Sequence, residues 1–409
     1  MRPAPSRPGH SDRSFYLLAA VGGVVLLLGL WAAHLMETAG HVITGMNNHV
    51  VWGMPHVFAI FLVVAASGVL NVASIGTVFG EAIYKPRAPL SGVLCIALLA
   101  GGLMVLMLDL GRPERVVIAA THLNLTSVFA WNMPLYSGMF ALVIVYLWTL
   151  LERRFNRYSR PVGIAVFVWR LVLTTGTGSI FAFLVARDAW GSALLGPLFV
   201  VLSFGWGLAV FYLAQAGLYA WHGITIAAPA QQRINRLLGV FVAASLYLVA
   251  AHHLTGLYFA RQSGFETFLL RDGGVYTLLF WGGFVLVGGV VPLVLIFARG
   301  FGRPGHTLLA SVLVIAGAFA ELYAFIIGGQ AWPLILFPGA KVSSTFMDGA
   351  IIPYAPSLPE VLLGLGGVGA AFLIALVGVR VLGLVPVDAP AADSPAPAAA
   401  TTPHAAQGR

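Results

Sequence analysis

Hydrophobic positions along the chain gather into ten long runs parted by short polar connections: 15–36, 52–80, 88–110, 126–151, 161–186, 192–221, 234–260, 275–298, 306–328 and 358–384. Each is long enough to cross a hydrocarbon core as a helix of ~20 residues. The pattern therefore predicts an all-α integral membrane protein of ten transmembrane helices. They pack as one body over 15–384, between an N-terminal arm at 1–14 and a tail at 385–409.

Composition agrees, because 9% charged and 59% hydrophobic residues over 409 positions cannot clothe a water-soluble globule. The net charge of +8 is a topology signal, since no basic, aromatic-interleaved patch of the kind that binds nucleic acid lies outside the runs. Fourteen Lys and Arg fall on one side: Arg2, Arg7, Arg13, Lys85, Arg87, Arg153, Arg154, Arg157, Arg160, Arg233, Arg236, Arg299, Arg303 and Arg380. Six fall on the other: Arg112, Arg115, Arg187, Arg261, Arg271 and Lys341. Both termini are thus expected in the cytoplasm, with the odd-numbered connections outside. The first run is too long for a signal-peptide core and reads as a signal anchor. The Ala- and Pro-rich end is expected to be a disordered cytoplasmic tail. The ninth connection, 329–356, is apolar and punctuated by Pro; it is expected to cover a site or dock a partner.

Ionisable groups within the runs carry the candidate chemistry, because hydrocarbon tolerates them only when paired or wetted. Asn47-Asn48-His49 and Trp52-Gly53-Met54-Pro55-His56 stand at the head of the second run. Pro55 disfavours helical geometry at Met54, so the residues before it are expected on irregular backbone, tolerated at membrane depth when buried or lining a wet cavity. An imidazole and an amide there could bond a quinone carbonyl and accept a quinol proton, or merely cap the helix at the interface. Asp109-Leu110-Gly111-Arg112-Pro113-Glu114-Arg115 predicts a tight turn knotted by salt bridges through Arg112 and Arg115, with Asp109 free to face a cavity. Asn132 and Tyr136, one turn apart, can share a face near the outer boundary, as a quinone donor or as belt residues. Helical rise puts His252, His253 and Glu321 in the outer half and Arg170 near the middle. These groups could relay protons from a quinone site, or Arg170 and Glu321 could form a static ion pair. The lone Cys95 cannot supply the four thiolates of an iron–sulfur cluster.

Several of these stretches, namely Asp109 to Arg115, Trp52-Gly53 and Ser127 to Tyr136, resemble the NrfD/PsrC family of membrane quinol-interacting subunits. Asn48 to Gly53, Phe129-Ala130-Trp131-Asn132, Gly329 to Pro333 and Phe337-Pro338-Gly339 are similar to its ten-span branch, above all to the DsrP subunits of sulfur-metabolism complexes. The resemblance implies two four-helix bundles flanked by the first and last helices, in a bacterial inner membrane. It implies a menaquinone or ubiquinone site near the outer leaflet, without haem, iron–sulfur cluster or other metal in this chain. It also implies an extracytoplasmic ferredoxin-like iron–sulfur partner, with cytochrome c and further membrane subunits in the same complex. By motif match the quinone-pocket roles fall to Asn48, His49 and Tyr136, with Asp109 as proton or hydrogen-bond partner; His56, at the head of the second run, is a further quinone-site candidate. Two other classes compete. A di-haem cytochrome b would take axial ligands from His34, His56, His252 and His253, although adjacent helical histidines diverge by ~100° and cannot both serve one iron. A secondary transporter would place its polar residues at matching midplane positions, which this chain does not do.

Overall fold

The structure, a computed structural model, describes residues 11–334 and 347–384. The expected tail and the middle of the ninth connection, Phe337 to Gly339 and Lys341 included, lie outside the described residues. Ten helices are long and apolar enough to span a membrane, and among the described residues there is no strand. The spans run Ser11–Ala39 (span 1), Met54–Thr77 (span 2), Ala88–Leu108 (span 3), Val128–Leu151 (span 4) and Ser159–Ala182 (span 5). They continue with Leu195–Trp221 (span 6), Ala228–Tyr258 (span 7), Val275–Phe297 (span 8), Pro304–Ala331 (span 9) and Leu358–Val381 (span 10).

Spans 2 to 5 form one four-helix group and spans 6 to 9 a second, joined where span 6 packs on spans 2 and 5. Spans 1 and 10 pack on each other and span 10 packs against spans 3 and 2, so the two outer helices lie together beside the first group. Span 2 is the pillar of the molecule: 94% of its apolar stretch is buried, against 17% for span 1. Its crossing with span 6 is backbone on backbone, for a Cβ on Gly68 would collide with Ser203 and one on Gly207 with Gly68. Gly29 and Gly366 bring spans 1 and 10 together in the same way. Small residues permit such approach where no hydrophobic force draws helices together.

Three local features matter for the site, the first as Pro55 predicts and the other two departures from the sequence expectation. Span 2 begins at Met54 with Pro55 in its first turn, leaving Gly45 to Gly53 outside any long helix. The third connection is more than a turn: Gly111 sits at φ 68°, followed by a 3-10 turn Pro113–Arg115 and a helix Val116–Thr121. The ninth span passes through a π-helical segment, Tyr323–Gly328, and holds Gly329–Ala331 in helix, so Gln330 belongs to the span and not to the connection. Further π segments, Phe268–Asp272 and Leu279–Val290, also fall in the second half of the chain.

Candidate functional site

The non-helical strap 45–53 would carry unpaired backbone groups into the protein were they not taken up by distant side chains. Gln330, buried in span 9, accepts from the N–H of Val51 and of Trp52, both at 3.0 Å, and donates to the Trp52 carbonyl at 2.9 Å. Arg187, in the connection between spans 5 and 6, donates to the carbonyls of His49 and Gln330, each at 2.9 Å. At the other end of the strap the Glu360 carboxylate, wholly buried in the first turn of span 10, accepts from Gly45 N–H at 2.9 Å and Ser357 N–H at 2.7 Å. It also accepts from the Tyr354 hydroxyl at 2.7 Å, whose oxygen in turn accepts from Met54 N–H at 2.8 Å. Burial, and then the Glu360 carboxylate beside it, push the Tyr354 phenol up, so it stays protonated and able to donate. Backbone from the first group is therefore gripped by spans 9 and 10 and by the link between the groups.

Beside this strap sits a buried carboxylate between two imidazoles. Asp109 caps the end of span 3 with a side chain 1% exposed; its Oδ2 lies 2.9 Å from His56 Nδ1 and its Oδ1 3.8 Å from His41 Nε2. Neither contact is an aligned hydrogen bond, and both carboxylate oxygens, His41 Nε2 and His56 Nδ1 are left without one. Burial alone would raise the Asp109 carboxyl, but the two imidazoles outweigh it and hold the group below the ordinary carboxylate range. The contact with Asp109 raises His41 above the usual imidazole value, against the smaller opposing effect of burial. The His56 ring lies stacked 5.8 Å from Trp52, which also meets Phe129, Phe181 and Trp190 at 5.6–6.2 Å. Phe325 of span 9 extends the aromatic cluster through Phe181 at 4.9 Å.

Of the residues read from the sequence, His56 and Asp109 come together here. Tyr136 is buried in span 4 on the same face as Asn132, whose Oδ1 has no hydrogen-bond partner among the described residues. His49 faces Asp348 at 3.7 Å, and Asn48 is exposed; it is Asn47 whose side chain builds the local turn, accepting from His49 and Val50 N–H at 2.9 Å. The expected salt-bridged knot is not formed. Asp109 turns to the histidines, while Arg112, Glu114 and Arg115 are exposed and show no ion pair among the described residues, because Gly111 swings the chain away from the carboxylate. Nor do Arg170 and Glu321 pair. Arg170 donates to Asn71 Oδ1 at 2.8 Å and to the Ser67 carbonyl at 3.3 Å, and Asn71 donates onward to the Phe204 carbonyl of span 6 at 3.3 Å. Arg170 thus ties the two groups together through Asn71. His34 lies exposed on span 1. His252 and His253 are buried near the end of span 7, where Glu266 meets His253 at 2.7 Å.

Sequence reasoning missed His41, Arg187, Glu266 and Glu360; Gln330 lay in a quoted motif without a role. A surface cavity of about 480 Å³ adjoins the strap, walled among others by Arg187, Trp190, Thr255, Phe259 and Gln262.

Residues 42–333 match the family model described as polysulphide reductase, NrfD. The Hdr-like menaquinol oxidoreductase integral membrane subunit of Archaeoglobus fulgidus is 28% identical over 384 residues, covering 91% of this chain and 94% of its own. A Halobacterium salinarum protein, named provisionally as a membrane subunit of dimethyl sulfoxide reductase, is 28% identical over 396 residues, covering 88% and 89%. A selenate reductase subunit of Mesobacillus selenatarsenatis is 22% identical over 404 residues, covering 89% and 92%. The matched region takes in the strap, Asp109 with His56, and spans 2 to 9, and the ten-span protein described here belongs to the NrfD family of polysulphide reductase membrane subunits.

Proposed function

We propose that this chain is the quinone-interacting membrane subunit of an oxidoreductase complex, exchanging electrons between membrane quinol or quinone and an iron–sulfur partner subunit. One observation carries the reading: a buried carboxylate, Asp109, stands between the half-buried rings of His56 and His41 with none of the four facing atoms in an aligned hydrogen bond. Such a set fits a quinol head group, since imidazoles can donate to or accept from its oxygens and Trp52 offers a flat apolar wall. A bound quinol supplies two electrons and two protons; the protein's own task is to position it and take the protons. His56 receives a proton on its ring, Asp109 holds that ring in place through Oδ2, and Oδ1 offers the proton a way to His41, whose side chain is 33% exposed. Tyr136 and Asn132 supply buried donors deeper in the first group, and Asn48 and His49 form the aqueous margin of the site on the strap.

Arginine and lysine placement supports putting this end on the extracytoplasmic face of a bacterial inner membrane, with both termini inside. The iron–sulfur partner, and cytochrome c or further membrane subunits behind it, would dock there. The names of the relatives, a menaquinol oxidoreductase subunit among them, support menaquinol ahead of ubiquinol. Within the family we place the chain in the ten-span branch that includes DsrP. The relay through Arg170, His252 and Glu321 has no part in this reading, because Arg170 is engaged with Asn71. The test is Asp109→Asn in the assembled complex. Turnover of a soluble menaquinol analogue should fall ~10²-fold or more, in keeping with loss of one acid–base group, with subunit stoichiometry unchanged. Undiminished turnover in an assembled complex refutes the site.

A further inference from the structure

The reading above leaves a second set of buried ionisable groups unused. His252 and His253 end span 7, Glu266 lies on the short helix Ser263–Thr267 that follows, and Glu321 lies on span 9; they are 5%, 6%, 2% and 5% exposed. We propose that His252, His253 and Glu266 form a binding site for a divalent ion of the zinc class, with its fourth position open and Glu321 as a buried counter-charge.

Four observations carry this. One potential ligand atom from each of His252, His253 and Glu266 lies within 4.8 Å of the others. Both ring nitrogens of His252 lack a hydrogen-bond partner among the described residues, as does Glu321 Oε2, so a buried imidazole and a buried carboxylate stand unsatisfied. Unpaired polar groups of this kind are costly anywhere and most of all in a membrane protein. Neither Glu266 nor Glu321 is paired with an Arg or Lys among the described residues, and two carboxylates with two neutral imidazoles around a divalent cation make a site of zero net charge. Finally, space has been cleared for the cluster: a Cβ on Gly256 would collide with the Glu266 carboxylate, so only glycine there lets that side chain lie against span 7.

The geometry suits zinc and not haem. Axial haem ligands must face each other across the iron, which neighbours on one helix cannot do; a tetrahedral ion needs no two ligands opposite each other, so divergent neighbours can both reach it. The two rings lie 5.1 Å apart and tilted by 59°. Tetrahedral ligands at ~2.0–2.1 Å from the metal stand about 3.4 Å from one another, a closing movement within reach of side-chain rotation. Glu266 and Glu321 each lie just ahead of a π-helical segment, Phe268–Asp272 and Tyr323–Gly328, an irregularity that often marks functional positions. The 480 Å³ cavity gives a route in, since Thr255 and Gln262 on its wall are one turn from His252 and Glu266.

The experiment uses the full-length chain purified in detergent, stripped with chelator, incubated with Zn²⁺, desalted and assayed by elemental mass spectrometry. Wild type should retain about one zinc per chain, the stoichiometry of a single site; His252→Ala and Glu266→Gln should fall to background, and His34→Ala, on the outer surface of span 1, should match wild type. Co²⁺ in place of Zn²⁺ should give the intense visible absorption of tetrahedral coordination, lost in Glu266→Gln. Should His252→Ala fail to fold, the near-isosteric Glu266→Gln decides the matter. Wild type that retains no more metal than Glu266→Gln, or cobalt spectra that do not distinguish the two, overturns the proposal and leaves the cluster holding protons alone.

Discussion

Replacing Gln330 with Ala removes the carboxamide that holds the head of span 2. In the native protein that group, 1% exposed, bonds Val51 N–H, Trp52 N–H, the Trp52 carbonyl and the Ile326 carbonyl at 2.9–3.0 Å. Ile326 keeps its place in span 9 and Val51 is 52% exposed, so water or helix compensates them. The two polar groups of Trp52 are the real loss. At ~1–3 kcal/mol for each buried polar group left unpaired, with some relaxation of the strap, local stability should fall by about 2–4 kcal/mol. Amide exchange at Val51 and Trp52 through local opening should then accelerate about 30- to 700-fold, a decade for each ~1.4 kcal/mol. The assay is hydrogen–deuterium exchange by mass spectrometry on the detergent-solubilised protein, following peptides across 45–56 with peptides from spans 3 and 6 as controls. Gln330→Glu, which keeps the acceptor and loses the donor, should fall between wild type and Gln330→Ala. Strap amides exchanging within about threefold of wild type, in a Gln330→Ala protein whose control peptides are unchanged, would refute the reasoning; at most ~0.7 kcal/mol would then reside in the clamp.

Two further outcomes follow from the site. The His41 imidazole is raised by Asp109, so its stabilising contact is fully present below the ordinary value of 6.5 and is lost as pH rises through its raised value; the melting-temperature gap between wild type and His41→Ala, followed by scanning fluorimetry, should be widest at pH 6 and shrink above neutrality. Arg112 is exposed and makes no ion pair among the described residues, so Arg112→Ala should accumulate in membranes like wild type and change stability by no more than ~0.5 kcal/mol, measured by quantitative blot and thermal melt.

Much of the architecture could be read from one dimension because its cause is one-dimensional. Run length gives a span, and Pro55 marks where the second helix starts, as observed at Met54. Asp109 and His56 stood out for the same reason: a charge or an imidazole at the edge of an apolar run costs energy unless it is used. His41 escaped notice because it lies in a short polar connection where an imidazole is unremarkable, and only the fold brings it to Asp109. Arg112 and Arg115 misled because proximity in sequence suggested an ion pair that the left-handed turn at Gly111 undoes. Gln330 and Glu360 were beyond sequence reasoning in another way, since their partners are strap backbone groups that carry no residue-type signal. Glu266 reaches His253 by a chain reversal between spans 7 and 8 that helical periodicity cannot foretell.

The clamp on the strap also sets a timetable for biogenesis. Trp52 and its acceptor Gln330 are separated by 278 residues, and Gly45 and Glu360 by 315. At ~5–20 residues per second on the ribosome, roughly 14–56 s pass between synthesis of Trp52 and synthesis of the group that will hold it. Through that interval the strap must keep its backbone hydrated at the membrane surface or shielded by the insertion machinery, while spans 3 to 8 enter the bilayer. The strap beside Asp109 is fixed by the last helices to be made, so a ribosome that stops after span 8 releases a chain with most of its helices and no finished site.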